Sequence, residues 1–443
     1  MKYYSTNGAA PVATLEKAVV KGLAEDKGLY MPERIKPLSQ DFWDNLDRMS
    51  FQEIAYQVAE CFFGEDVDAE SLRNIVYDTL SFDVPVVPVC PSSEAQEGTI
   101  YSLELFHGPT LAFKDVGARF MARLLRYFIG KSESRTVNVL VATSGDTGSA
   151  VANGFLGVDG IHVYVLYPKG KVSPIQECQF TTLGQNITAI EVDGVFDDCQ
   201  ALVKQAFMDK ELNGHMKLTS ANSINVARFL PQSFYYFWAY AQLKRILSPE
   251  LVANIVACVP SGNFGNICSA LFGKRMGLPI KRFIAANNAN DIFFQYLRTG
   301  QYNPKPSVAT IANAMDVGDP SNFARIYDLY GGKHEAICAD ISGATYTDDQ
   351  IAATMRQCLK ETGYQLDPHG ACGYQALKDG LREGEIGFFL ETAHPAKFKQ
   401  VVDEICGVDV AIPQRLQAFM NGTKQSVAMS RDFAEFKKFL LEQ

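Results

Sequence analysis

Apolar positions recur at helical spacing through roughly the first 90 residues: Val12, Leu15, Val19 and Leu23, then Ile54, Val58 and Phe62, then Leu72, Val76 and Leu80. This pattern predicts a mainly helical N-terminal region. The stretch FDVPVVPVCPSSEAQEG (82–98) carries prolines that a helix interior does not accept, and it marks a boundary. Beyond it the pattern changes. VNVLVA (137–142), HVYVLY (162–167), NITAIEV (186–192), NIVACV (254–259), KRFIAA (281–286) and EIGFFLE (385–391) are short, β-branched, nearly continuous apolar runs separated by helical spacing. That alternation predicts an α/β fold with a largely parallel sheet covered by helices on both faces. Ligands of such sheets sit beyond the carboxyl ends of the strands, which directs attention to the strand-to-helix turns.

Composition narrows the possibilities. A chain of 443 residues, 47% hydrophobic and 21% charged, is globular and too long for one ordinary core. Its formal charge of -9 disfavours a general nucleic-acid binder, which needs clustered Lys and Arg to displace counterions. The ten cysteines include no C-x-x-C pair and no grouping with histidine at zinc spacing, so no disulfide framework or metal site is expected. The opening MKYYSTNGAAPVATLEKAV lacks the apolar core of a signal peptide, and no run reaches the ~20 apolar residues of a membrane span. A cytoplasmic protein acting on a small molecule, without nucleic acid or membrane, is the expectation.

Two turns have the composition to hold anions. TSGDTGSA (143–150) follows the run VNVLVA, and PSGNFGNICSA (260–270) follows NIVACV. Gly145, Gly148, Gly262 and Gly265 permit tight or left-handed backbone, and hydroxyls and helix-start amides supply donors. Neither turn is a P-loop or a dinucleotide fingerprint. Each is open to a second reading, as an ordinary helix start capped by Ser, Thr, Asp or Asn. HGPTLAFKDVGARF (107–120) raises a similar choice for Lys114, which is either a solvated charge or a reactive amine. A helix starting near Pro109 or Thr110 would put Lys114 in its early turns. There the helix dipole and an apolar wall of Phe113, Val116 and Phe120 favour a neutral amine, each pKa unit of depression corresponding to ~1.4 kcal/mol.

HGPTLAFKD, TSGDTGSA, PSGNFGN and ETAHPAKF occur in the order found in pyridoxal-phosphate enzymes of the tryptophan-synthase-β superfamily, and the chain resembles the threonine synthase family within it. GLAEDKGLYMP (22–32) and SANSINVAR (220–228) resemble that family too, so the likeness runs through nearly the whole chain. It implies a two-lobed fold-type-II architecture. A mostly helical N-terminal region (1–98) would precede a catalytic region of two α/β lobes (99–443), the smaller lobe covering roughly 120–225.

The resemblance also implies roles. Lys114 would bind pyridoxal phosphate covalently and later shuttle protons. Gly262, Asn263, Phe264, Gly265 and Asn266 would cradle the cofactor phosphate, and Thr392 would hydrogen-bond the ring nitrogen without enforcing a charge there. Ser144 and Thr147 would hold the substrate carboxylate, and Asn222, Ser223 and Arg228 its phosphate, a task for which arginine's planar fork is suited. Asp146 would lie near the cofactor's ring oxygen, with a helix cap or Asx-turn as the other reading. Asn225 is open between ligand and cap of the helix predicted over NVARFLPQSFYYFWAY. His107 is open between a turn residue and a substrate-site hydrogen bonder, Asp367 and His369 read as structural, and His394 as closing the loop after Thr392.

The activity implied is conversion of O-phospho-L-homoserine and water to L-threonine and phosphate, by a monomer or homodimer. Rivals are another lyase on the same scaffold, such as a threonine dehydratase or an O-acyl-serine sulfhydrylase, and a non-catalytic phosphoamino-acid-binding protein.

Overall fold

The computed structural model describes residues 1–90, 98–130 and 136–443; residues 91–97 of the proline-rich boundary segment lie outside the described residues. Two sheets organise the molecule. The larger has six strands in the order Ile341–Thr345, Arg282–Asn287, Ile255–Pro260, Ile386–Glu391, Ile100–Glu104 and Val86–Val89. All of its neighbours are parallel except the last pair. The smaller has five parallel strands in the order Val427–Met429, Ile187–Val192, Ile161–Pro168, Val137–Ala142 and Lys217–Ser220. The central strands Val137–Ala142, Ile255–Pro260, Arg282–Asn287 and Ile386–Glu391 are buried along their whole length, as their unbroken apolar runs require.

Val86–Val89 pairs with Ile100–Glu104, so part of the proline-rich segment belongs to the larger sheet. Its Pro88 sits on an edge strand, where a missing N–H is tolerated. Val427–Met429 returns from the C-terminal end to complete the smaller sheet, beyond the span of roughly 120–225 expected for that lobe. Three residues offer no periodicity to read.

The N-terminal region contains the helices Leu15–Lys21, Gln40–Asn45, Phe51–Phe63 and Ala69–Thr79, each started by a capping side chain, with a full capping box between Ser50 and Glu53. It also carries a three-stranded antiparallel sheet of Ala13–Thr14, Lys2–Ser5 and Tyr30–Pro32. These strands are too short for alternation to register in the sequence.

Two helix boundaries depart from expectation. The helix Lys114–Gly130 begins at Lys114 itself, not near Pro109 or Thr110. The Asp115 carboxylate accepts hydrogen bonds from the Thr110 amide at 2.9 Å and the Thr110 hydroxyl at 2.5 Å, and Leu111 takes a left-handed φ of 59°. Together these hold the approach to Lys114 as a non-helical turn. The helix expected over NVARFLPQSFYYFWAY is interrupted at Pro231, giving Val226–Phe229, a 3-10 turn Leu230–Gln232, and Ser233–Ile246. Phe234 through Phe237 and Tyr240 are buried in the main core.

Candidate functional site

Three neighbouring parallel strands of the larger sheet end side by side. Ile255–Pro260 leads into the glycine turn, Ile386–Glu391 into Thr392, and Ile100–Glu104 into the loop that delivers Lys114. In the smaller sheet the adjacent strands Val137–Ala142 and Lys217–Ser220 release Thr143–Thr147 and Ala221–Arg228. The two sets meet. Asn263 Nδ2 donates to Ser223 Oγ at 2.7 Å, and Lys397 Nζ pairs with Asp146 Oδ1 at 2.6 Å. Segments leaving the carboxyl ends of both sheets therefore meet, and Asp146, Arg228 and Lys397 lie close enough to act on the charge of Lys114.

Lys114 is half-buried and has no hydrogen-bond partner among the described residues; its Nζ lies 5.7 Å from the centre of the Phe113 ring. Burial pushes its pKa down to about 8, with Arg228 and Lys397 lowering it further and Asp146 opposing them. At pH 7 that leaves about one amine in ten neutral, against roughly one in two thousand for an ordinary lysine. Competitive acetylation of the cofactor-free protein is expected to give Lys114 a reactivity midpoint near pH 8, rising with pH through that value as the ammonium loses its proton.

Asp146 is buried, and burial alone would raise its pKa. The charges of Lys397 and Lys114, with hydrogen bonds from Lys397 and Gln176, outweigh that and hold it well below the usual carboxylate range. It is an ionised member of the site. The cap reading fails for it, because the helix Asp146–Phe155 starts from Gly145 without a side-chain cap. Thr143 Oγ1 ties the turn instead, accepting from the Gly145 and Gly148 amides at 2.9 and 2.8 Å. The Ser144 and Thr147 hydroxyls and amides have no acceptor among the described residues.

The glycine turn has the form of an anion receptor. Phe264 caps the helix Gly265–Arg275 in a left-handed conformation, φ 64°, with no side-chain cap. The amides of Gly262, Asn263, Phe264, Gly265 and Asn266 have no acceptor among the described residues. Such a nest at a helix N-terminus favours a phosphate. Neither glycine has room for a side chain: a Cβ on Gly262 would lie 2.7 Å from the Ala314 carbonyl, and one on Gly265 would lie 3.0 Å from Ser223 Cβ. The Asn266 side chain turns the other way, its Oδ1 accepting from the Tyr235 and Tyr236 hydroxyls at 2.7 Å each. The Thr392 hydroxyl is unpartnered among the described residues, while its carbonyl accepts from the Phe113 amide at 2.8 Å, one residue from Lys114. An amine, a phosphate nest and a free hydroxyl at three adjacent strand ends fit pyridoxal phosphate.

Arg228 is almost fully buried without a carboxylate at ion-pair distance among the described residues. One terminal nitrogen donates to the Ala221 carbonyl, and Nε has no partner. Burial pushes its pKa down to about 10, while Asp115 acts in the opposite direction. A buried guanidinium with an unpartnered donor carries an uncompensated desolvation cost, which an anion would relieve. Asn222 Oδ1 is likewise buried and unpartnered. Asn225 is a cap and not a ligand. Its Oδ1 accepts from the Ala227 amide at 3.0 Å, and its Nδ2 donates to the carbonyls of Val19 and Ser220.

His107 is partly exposed and bonded to Glu104 at 2.8 Å. Asp367 caps the helix Pro368–Gly380 and holds His369 Nδ1 at 2.5 Å. Burial lowers the His394 pKa to about 4, and its Nδ1 accepts from the Ala396 amide. Sequence reasoning passed over Lys397, which is fully buried against Asp146 and the Thr110 carbonyl. It lies inside ETAHPAKF, but nothing local distinguishes a buried lysine from an exposed one.

Family models match along the chain: "Threonine synthase N terminus" over residues 2–80, "Pyridoxal-phosphate dependent enzyme" over 81–390, and "Threonine synthase, C-terminal" over 370–440. A threonine synthase of Escherichia coli is 42% identical, the match covering 100% of this chain and 99% of that protein. Its crystal structure superposes with a TM-score of 0.91 over the full length of both chains. A pyridoxal-phosphate-bound threonine synthase of Brucella melitensis is 34% identical with a TM-score of 0.91, covering 100% of this chain and 99% of that one. A tomato threonine deaminase, 17% identical at a TM-score of 0.53 over 77% of this chain and 89% of its own, shares the fold alone.

Proposed function

This chain belongs to the threonine synthase family of pyridoxal-phosphate-dependent enzymes, and on that premise we propose that it converts O-phospho-L-homoserine and water to L-threonine and phosphate. In that conversion the Cγ–O bond to phosphate and one Cβ–H bond break, water gives its hydroxyl to Cβ and its remaining proton to the departing phosphate, and a proton is delivered to Cγ. Pyridoxal phosphate, when bound, supplies the electron sink that makes protons near the substrate amine labile.

The chain's own groups divide the remaining work. The amides from Gly262 to Asn266 would hold the cofactor phosphate, and the Thr392 hydroxyl would be the hydrogen-bonding partner for the pyridine ring. Ser144 and Thr147, with the amides of their turn, bind the substrate carboxylate. Lys114 Nζ takes and returns protons, a role supported by its pKa near 8. Asp146 stays ionised against Lys397 and orders the polar side of the cleft. Asn222, Ser223 and Arg228 bind the substrate phosphate and stabilise charge as it departs. A cytoplasmic site of action belongs to the same proposal, in keeping with the lack of a disulfide among the described residues.

The observation that carries this reading is a second buried cation, Arg228, separate from the glycine turn, which we read as the receptor of the substrate phosphate. Arg228 is buried with no carboxylate at ion-pair distance among the described residues, and its Nε has no hydrogen-bond partner there. A dehydratase acting on an unphosphorylated hydroxy amino acid has no need of it. Arg228→Ala is expected to lower kcat/KM for phosphohomoserine by about 10²-fold, equivalent to two charge-assisted hydrogen bonds at roughly 1.5 kcal/mol each. Steady-state kinetics check this, and an unchanged kcat/KM would remove Arg228 from the substrate site. The function itself is tested by incubating the purified protein with phosphohomoserine. Threonine and phosphate should appear in equal amounts, whereas 2-oxobutyrate and ammonia from threonine would point to the dehydratase.

A further inference from the structure

We propose that Asn322 and Arg325 are positioning residues that lock the glycine turn and the loop Ala221–Arg228 into one unit, braced from behind by the N-terminal region. The inference rests on the functional reading above for what those two segments bind. Asn322 is fully buried and makes bonds to both segments. Its Nδ2 donates to Ser223 Oγ at 3.2 Å and to the Asn263 carbonyl at 3.1 Å, and its backbone amide reaches the same carbonyl at 3.3 Å. Asn263 Nδ2 closes the circuit on Ser223 Oγ at 2.7 Å. Asn322 Oδ1 is left to accept from Arg325 at 2.7 Å.

Arg325 is completely buried, and no carboxylate lies at ion-pair distance among the described residues. Its fork instead bonds backbone carbonyls of separate segments: Ser223 at 3.1 Å, Ile224 at 2.6 Å, and Tyr30 of the N-terminal sheet from two nitrogens at 3.2 and 3.1 Å. The guanidinium also lies 4.1 Å from the centre of the Phe229 ring. Burying a charge without a counter-charge is costly, and here the compensation comes from carbonyl oxygens that become fixed as a result. In a trans peptide the N–H points opposite the preceding C=O. With the Ser223 carbonyl turned to Arg325, the Ile224 amide points away from it, and that amide has no acceptor among the described residues. Arg325 thus orients the Ile224 backbone donor, and gives the N-terminal region a part in the site through Tyr30.

The experiment compares wild-type holoenzyme with Asn322→Ala by hydrogen exchange, cofactor affinity and kinetics. Exchange in segments 221–228 and 261–266 is expected to rise together by about tenfold, with the strand 137–142 unchanged, since two neutral hydrogen bonds and the one accepted from Arg325 are lost while the backbone amide bond remains. KM for phosphohomoserine and the dissociation constant of pyridoxal phosphate should each rise by about tenfold, with kcat changed less. Exchange confined to residues around 322, with both constants at wild-type values, would overturn the proposal. Should Asn322→Ala fail to fold, Arg325→Lys carries the same test, because it keeps the charge but loses the fork. In that variant loosening should centre on 221–228, and KM should move more than cofactor affinity. A wild-type protein that makes no threonine defeats the functional reading, while exchange and cofactor affinity still decide whether the brace exists.

Discussion

Lys114→Ala is expected to lower threonine formation by at least ~10³-fold, the scale of losing a positioned acid-base group. Circular dichroism and thermal midpoint should stay near wild type, because Lys114 has no hydrogen-bond partner among the described residues and its ammonium is disfavoured by burial. The glycine turn is untouched, so the variant should still take up pyridoxal phosphate weakly through the amides of Gly262–Asn266. Loss of activity without loss of fold is the expected combination. Full retained activity would move the chemistry to another residue.

Lys397→Met should produce the second large effect, by a different route. Lys397 and Asp146 form a fully buried ion pair at 2.6 Å, and removing one member strands the other's charge. Such truncations cost about 3–5 kcal/mol. The thermal midpoint should fall accordingly, and activity with it. Asp146 would keep only Gln176 and Lys114 as polar neighbours from the present set. Lys114 would then lose one cation that depresses its pKa and face a less compensated carboxylate, so its acetylation midpoint should move upward from about 8. The double variant Lys397→Met/Asp146→Asn should recover much of the stability but not the activity, since no buried charge is then stranded. A wild-type midpoint and titration in Lys397→Met would show the pair to be of little consequence.

What the sequence made legible follows from how local each signal is. Strands such as Ile255–Pro260 and Val137–Ala142 are buried on both faces, and a continuous apolar run announces that. The glycine turns were visible because tight backbone needs particular residues at particular places. Ile341–Thr345, which is only partly buried, and the three-residue Val427–Met429 carried no such mark. The start of the Lys114 helix was misplaced because Pro and Thr are common at helix starts, whereas here Thr110 donates to Asp115 and keeps the chain out of the helix.

At the site, residues that lie in a motif could be picked out as candidates: Lys114, the glycine turn, Thr392 and Arg228. Residues defined by distant partners could not. Asn225 was decided as a cap partly by a carbonyl 206 positions away, at Val19. Lys397 acquires its meaning from Asp146, and Arg325 from Tyr30 and Ser223, pairings that exist only once both sheets and the N-terminal region have assembled.

The account turns on one amine meeting the cofactor's aldehyde at the strand ends, and borohydride reduction tests that directly. Purified protein loaded with pyridoxal phosphate is reduced, digested and mapped by mass spectrometry. The account predicts a single phosphopyridoxyl group on Lys114, absent from Lys114→Ala. Modification of another lysine in its place, or none at all, would contradict it.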